Sequence, residues 1–158
     1  MDNPEPTKPQ RKSQSSLRGL SRLCAVQEAY RAGFCQHKVS DFLNEINGSE
    51  EVFITESISI RELDRDFLRD LLLKMEENLA RIDVIIEEHL SAKWSLHRLD
   101  PVIKYVLRLA ITELLCFEKI PVRVVLNEYI EITKAFSKAQ EVAFVNGLLN
   151  EAAQKIRP

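Results

Sequence analysis

The sequence predicts an all-α protein, a compact two-part bundle of about six to seven helices. Apolar residues recur at i, i+3, i+4 and i+7 along most of the chain, the period of one helix face. Helix-start signals, Asp100-Pro101 and Pro121, stand just ahead of the longest of these stripes. Only "EEVFITESISI" has the residue types of a strand, and no second run of that kind exists to pair with it.

The elements follow in order. Residues 1–14, polar and proline-rich, read as a flexible tail, and residues 15–158 as a single domain. Leu17, Leu20, Cys24, Gln27, Tyr30 and Phe34 then step at helical spacing to about Cys35. Val39, Phe42, Leu43 and Ile46 mark a short second helix, ended by Asn47-Gly48. An isolated strand would leave its backbone groups unpaired, so "EEVFITESISI" is expected to be a loop. Ser59 and Glu62 stand at capping-box spacing ahead of Leu63, Phe67, Leu71, Met75 and Leu79. Ile82, Ile85, Ile86, His89 and Leu90 continue that stripe, with a break expected near Arg81.

Trp94, Leu96 and Leu99 lie on a connecting segment and are expected to plug the core. Asp100 supplies an N-cap acceptor, and Pro101 a fixed φ with no donor to satisfy. Val102, Ile103, Val106, Leu107, Ala110, Ile111, Leu114 and Leu115 make the next helix apolar over a wide face, hence central. Pro121 opens a further helix through Val125, Tyr129, Ile132 and Phe136.

The last helix, through Val142, Val145, Leu148, Leu149, Ala152 and Ile156, contains Asn146-Gly147, in isolation a hairpin signal. A mid-helix glycine costs about 1 kcal/mol relative to alanine. On a helical wheel Gly147 falls opposite the apolar stripe, beside Phe144 and Gln140. Two readings follow. Another helix packs closely over Gly147 and covers Phe144, or the face is open and Phe144 offers a stacking surface to an unpaired base.

Net charge is −2, but the charges are unevenly placed. From Pro6 to Gln27 the ionised residues are Lys8, Arg11, Lys12, Arg18 and Arg22, with no acid. From Asp41 to Asp66 eight acids face Arg61 and Arg65. The whole chain does not suggest nucleic acid, whereas its first segment does. No apolar run is long enough to span a bilayer. Cys24, Cys35 and Cys116 form no C-x-x-C pair, so buried thiols in a reducing cytoplasm are expected rather than disulfides or zinc. Four scattered glycines build neither a P-loop nor a dinucleotide turn, and His37, His89 and His97 lack metal-ligand spacing. Ser95, His97 and Asp100 lie close together without a glycine-rich oxyanion turn. The expectation is a binding protein, not an enzyme, with no cofactor and no metal.

Four blocks, "RLCAVQEAY", "LDPVIKYVLRLAITEL", "IPVRVVLNEYIEITKAF" and "FVNGLLNEAA", are similar in order and spacing to the bacterial transcription antitermination factor NusB family. The resemblance runs from about Arg18 to the C-terminus. It implies an all-helical, two-part bundle that binds single-stranded boxA RNA of ribosomal leaders as a heterodimer with NusE, a protein of the small ribosomal subunit. It further implies loading onto the RNA polymerase antitermination complex, so that terminators are read through. Family members differ in self-association, which leaves a homodimer open.

Carried over residue by residue, the resemblance assigns Arg22 and Arg18, one turn apart, to the RNA face. Gly19 and Leu20 stand where members often carry more arginines, and Arg11 and Lys12 are expected to compensate from upstream. Phe144 falls on the family's RNA surface, and Lys134 matches a basic position. Gln140 stands where members often have an acid, and Ser137 replaces a glycine. Tyr30 and Glu113 match the NusE-contacting positions. Two alternatives compete. One is the RNA-binding domain of a ribosomal-RNA cytosine methyltransferase, and the other a self-associating helical scaffold that never touches RNA.

Overall fold

The computed structural model describes residues 14–35, 38–47, 53–55, 58–59 and 63–158. Arg11, Lys12, His37 and nearly all of the expected tail lie outside them. Among the described residues the order is α1 (Gln14–Cys35), α2 (Val39–Asn47), β1 (Phe53–Thr55), β2 (Ile58–Ser59), α3 (Arg65–Glu77), α4 (Leu79–Glu88), a 3₁₀ turn (Leu96–Arg98), α5 (Pro101–Cys116), α6 (Val122–Phe136) and α7 (Ala139–Ile156).

α5 is the axis. It packs against α1 and α3 from the first half of the chain and against α4, α6 and α7 from the second, the two parts of the bundle. Its wide apolar face makes this possible: Ile103, Val106, Leu107, Leu109, Ala110, Ile111 and Leu114 are all buried. The two start signals act as their chemistry requires. Asp100 accepts from Val102 N at 2.9 Å with Pro101 in the first turn, and Pro121 stands at the N-cap of α6. Thr112 and Thr133, fully buried, satisfy their hydroxyls by donating to the carbonyls of Arg108 and Tyr129.

Several expectations are corrected. The strand-like run is not a loop: β1 and β2 pair antiparallel, Phe53 with Ser59 and Thr55 with Ile58. The partner lies within the same run, so a few local backbone bonds do what a distant second strand would have done. Ser59, held in β2, is not the cap of α3. That cap is Asp64, whose Oδ1 accepts from Phe67 N at 3.1 Å. Ser21 Oγ of α1 accepts from Asp64 N at 2.9 Å and so fixes the cap against the first helix. The long stripe breaks at Asn78, ahead of Arg81.

Leu96 is buried and Leu99 packs on the core, but Trp94 is 55% exposed and plugs nothing. Phe34, at the end of the α1 stripe, is 62% exposed. Of the cysteines only Cys24 is buried, its thiol pushed up to about 12 by burial and by the charge of Glu28. Cys116 is half-buried and Cys35 exposed.

Two arginines the sequence reading passed over tie the bundle together. Arg108 on α5 donates to both carboxylate oxygens of Asp83 on α4, each at 2.9 Å. Arg157, just past α7, spreads its guanidinium under the end of α5. It donates to the carbonyls of Leu114 (2.8 Å), Glu113 (2.9 Å), Phe117 (2.8 Å) and Ile120 (2.6 Å). The last carbonyls of a helix have no partner within it, and a cation also suits the negative end of the helix dipole.

Candidate nucleic-acid interface

Gln140, Glu141 and Phe144 stand on the first turns of α7. They face the segment that leads into α5, and with Trp94, Arg98, Leu99, Asp100 and Ile103 they line an open cavity of about 480 Å³. Phe144 is 37% exposed, and a Cβ built on Gly147 would meet nothing within 4 Å. Among the described residues no helix packs over Gly147 and its face is open, which removes the close-packing reading of the mid-helix glycine. Among the described residues neither Gln140 nor Arg98 has a side-chain hydrogen bond or ion pair, so both present their polar groups to the cavity.

The arginines of α1 are placed elsewhere. Arg18, partly exposed, lies 3.4 Å from Asp64 Oδ2 with its guanidinium over the Phe67 ring. It borders a separate cleft lined by Asp64, Asp66, Asp70 and Lys119. Arg22 is corrected outright as a phosphate-facing residue, being 2% exposed. Its Nε and Nη2 donate to the two carboxylate oxygens of Glu113, both at 2.9 Å, and its guanidinium lies over Phe67. Burial works against the charged guanidinium, but the hydrogen bonds and charge of Glu113 outweigh it and hold the pKa above the ordinary arginine value.

Glu113 is corrected with it. At 0% exposed it has no surface to offer a partner, and both its oxygens are taken. α1 crosses α5 at these positions, and a charge carried inside needs a neutralising neighbour. The fully buried Tyr129 hydroxyl lies in the field of the same carboxylate. Burial first and Glu113 second raise its pKa well above the phenol value.

Lys134 is exposed and paired with Glu131 at 2.8 Å, one turn back on α6, and it does not line the cavity. Tyr30 is 36% exposed and stacks on Phe34 with ring centroids 4.8 Å apart. Tyr105 meets Tyr30 edge-on at 6.4 Å. The close approach needs Gly33, where a Cβ would overlap the Tyr105 hydroxyl. The structure therefore gathers Gln140 and Phe144 at one cavity and Tyr30 at an aromatic patch, and it withdraws Arg22 and Glu113 into the interior. The residues missed at the cavity are Trp94 and Arg98. Their one sequence signal is an aromatic and a cation on a short connecting segment whose apolar anchors are Leu96 and Leu99.

Comparison with known proteins follows the same outline. A family model described as the NusB family matches residues 20–154. The transcription antitermination protein NusB of Bartonella tribocorum is 32% identical over 143 residues, covering 90% of this chain and 92% of that protein. The Bartonella quintana protein of the same name is 34% identical, covering 90% and 92%. Among solved structures, T. maritima NusB superposes with a TM-score of 0.75 at 30% identity, over 94% of this chain and 96% of that one. A crystal structure of antitermination factors NusB and NusE in complex with dsRNA shares the fold, with a TM-score of 0.67 at 24% identity, over 87% and 96%.

Proposed function

The chain belongs to the NusB family, and from that premise we propose that it is a cytoplasmic transcription antitermination factor that binds single-stranded boxA-type RNA of ribosomal leaders. It works together with NusE within the RNA polymerase antitermination complex, by binding and not by catalysis. The observation that carries the reading is the open face of α7, where Phe144 is exposed beside Gly147 and Gln140. A glycine with empty space around it lets a nucleotide approach the helix backbone next to an aromatic ring. A base stacked there contributes about 1–3 kcal/mol.

Gel-shift titration over a salt series tests this. Affinity is expected to fall with a log–log slope of about −0.7 per phosphate contact on a single strand. Phe144→Ala is expected to weaken binding by about 1–3 kcal/mol with unfolding free energy unchanged. A self-associating scaffold would give no shifted band, and its mass would change with concentration. If Phe144→Ala unfolds the protein, the ring is a packing element and the reading fails.

The NusE-facing surface is assigned to the Tyr30–Phe34 pair on α1. Tyr30 keeps the role the resemblance gives it, and Phe34 adds exposed area beside it. Tyr30→Ala with Phe34→Ala should reduce capture of purified NusE by about 2 kcal/mol or more, as expected for an aromatic hot spot. RNA binding by the free protein should stay as it was. Undiminished capture would remove this patch from the interface.

A further inference from the structure

We propose that Trp94 is the second wall of the base-binding cavity, so that one unpaired base sits between the Trp94 and Phe144 rings. The inference rests on the RNA-binding reading above and adds to it a residue on a different element.

Trp94 is the only tryptophan, and it is 55% exposed on a segment that is otherwise anchored. Buried Leu96 holds the segment to the core, Trp94 N donates to Ser91 O at 2.9 Å, and Arg98 N donates to Ser95 O at 2.9 Å. The ring is thus displayed on a fixed turn, and nothing among the described residues covers it. Trp94 and Phe144 line the same cavity of about 480 Å³, yet among the described residues neither is in ring-to-ring contact with another aromatic side chain. Two exposed aromatic walls with free space between them suit a flat π-system, and tryptophan offers the largest stacking face.

The rim shows which part of a nucleotide enters. Asp100 and Glu141 lie beside Gln140 and Arg98. Carboxylates repel phosphate but accept hydrogen bonds from the N–H groups of base edges, and a glutamine amide both donates and accepts. The base therefore goes in, while the phosphodiester runs outside, within reach of Arg98.

With one tryptophan, intrinsic fluorescence reads the cavity directly. Binding of a labelled boxA oligonucleotide is measured by anisotropy, and Trp94 emission is followed with the same unlabelled RNA. The expected result is quenching that saturates with the anisotropy curve. Trp94→Ala should weaken binding about five- to 150-fold, and Trp94→Phe, which keeps a ring, should recover most of it. Unchanged emission on a bound oligonucleotide, with Trp94→Ala binding like the parent, would overturn the inference and leave the RNA-binding reading standing. Absence of any anisotropy change would defeat both. Adenosine monophosphate is the second arm: quenching by it at the oligonucleotide's own concentration would make this a free-nucleotide site and also overturn the inference.

Discussion

Arg22→Ala is expected to lower the unfolding free energy by about 3–5 kcal/mol, and Glu113→Ala by a similar amount. Both groups are essentially without solvent contact, and each is the other's bidentate partner at 2.9 Å. Removing one leaves a full charge inside the bundle, where it must keep a neighbourless charge or shift its protonation. Glu128, at 4.0 Å from Arg22 Nη1 and one-third exposed, is too far and too well solvated to replace Glu113. For a chain of this size the loss corresponds to a drop in melting temperature of about 10 °C or more.

The ion pair need not stabilise the fold relative to an apolar pair of the same shape, and this gives the control. Arg22→Met with Glu113→Leu should recover most of the loss, because the cost lies in the orphaned charge. Denaturant titration reads all three variants. If either single variant keeps its midpoint but loses RNA or NusE binding, these residues act at a surface and the buried pair has been misread.

Arg157→Ala is the second large effect, with an expected cost of about 2–4 kcal/mol. Four carbonyls share this guanidinium. Those of Glu113 and Phe117 also accept from Phe117 N and Ile120 N at 3.0 Å, but Leu114 and Ile120 have no such second donor among the described residues. A half-buried carbonyl left unpaired costs about 1–3 kcal/mol, and the favourable interaction with the end of α5 is lost as well. Arg157→Lys should recover only part, since an ammonium cannot reach four acceptors in one plane. The α5–α6 turn should show the earliest gain in amide exchange. Unchanged exchange there, with stability intact, would mean that water replaces the guanidinium without loss.

What could be read in the sequence and what could not separate along one line. The helices were legible because their signals are local. Asp100-Pro101 and Pro121 start α5 and α6 by the chemistry of two adjacent residues, and the wide stripe of α5 declares its central place. Short-range features failed where two local rules competed. Ser59 and Glu62 have capping-box spacing, but Ser59 is engaged in β2 and Asp64 takes the cap. Arg22 was misplaced for a different reason. Its spacing from Arg18 puts both on one side of a helix, but what neutralises it lies 91 residues away on α5. No pattern within α1 carries that information. Arg157 was invisible on the same grounds. At the cavity, Phe144 and Gln140 are legible through the odd glycine, whereas Trp94 carries only the ordinary signal of a large aromatic residue, which is mostly that of a buried one.

A ribosome makes Arg157 between 37 and 44 residues after the carbonyls it binds. At about 5–20 residues per second, the nascent chain carries α5 for roughly 2–9 s before the group that closes its end has been polymerised. The central helix thus waits for its closing group through the whole synthesis of α6 and α7, which lie between its end and Arg157.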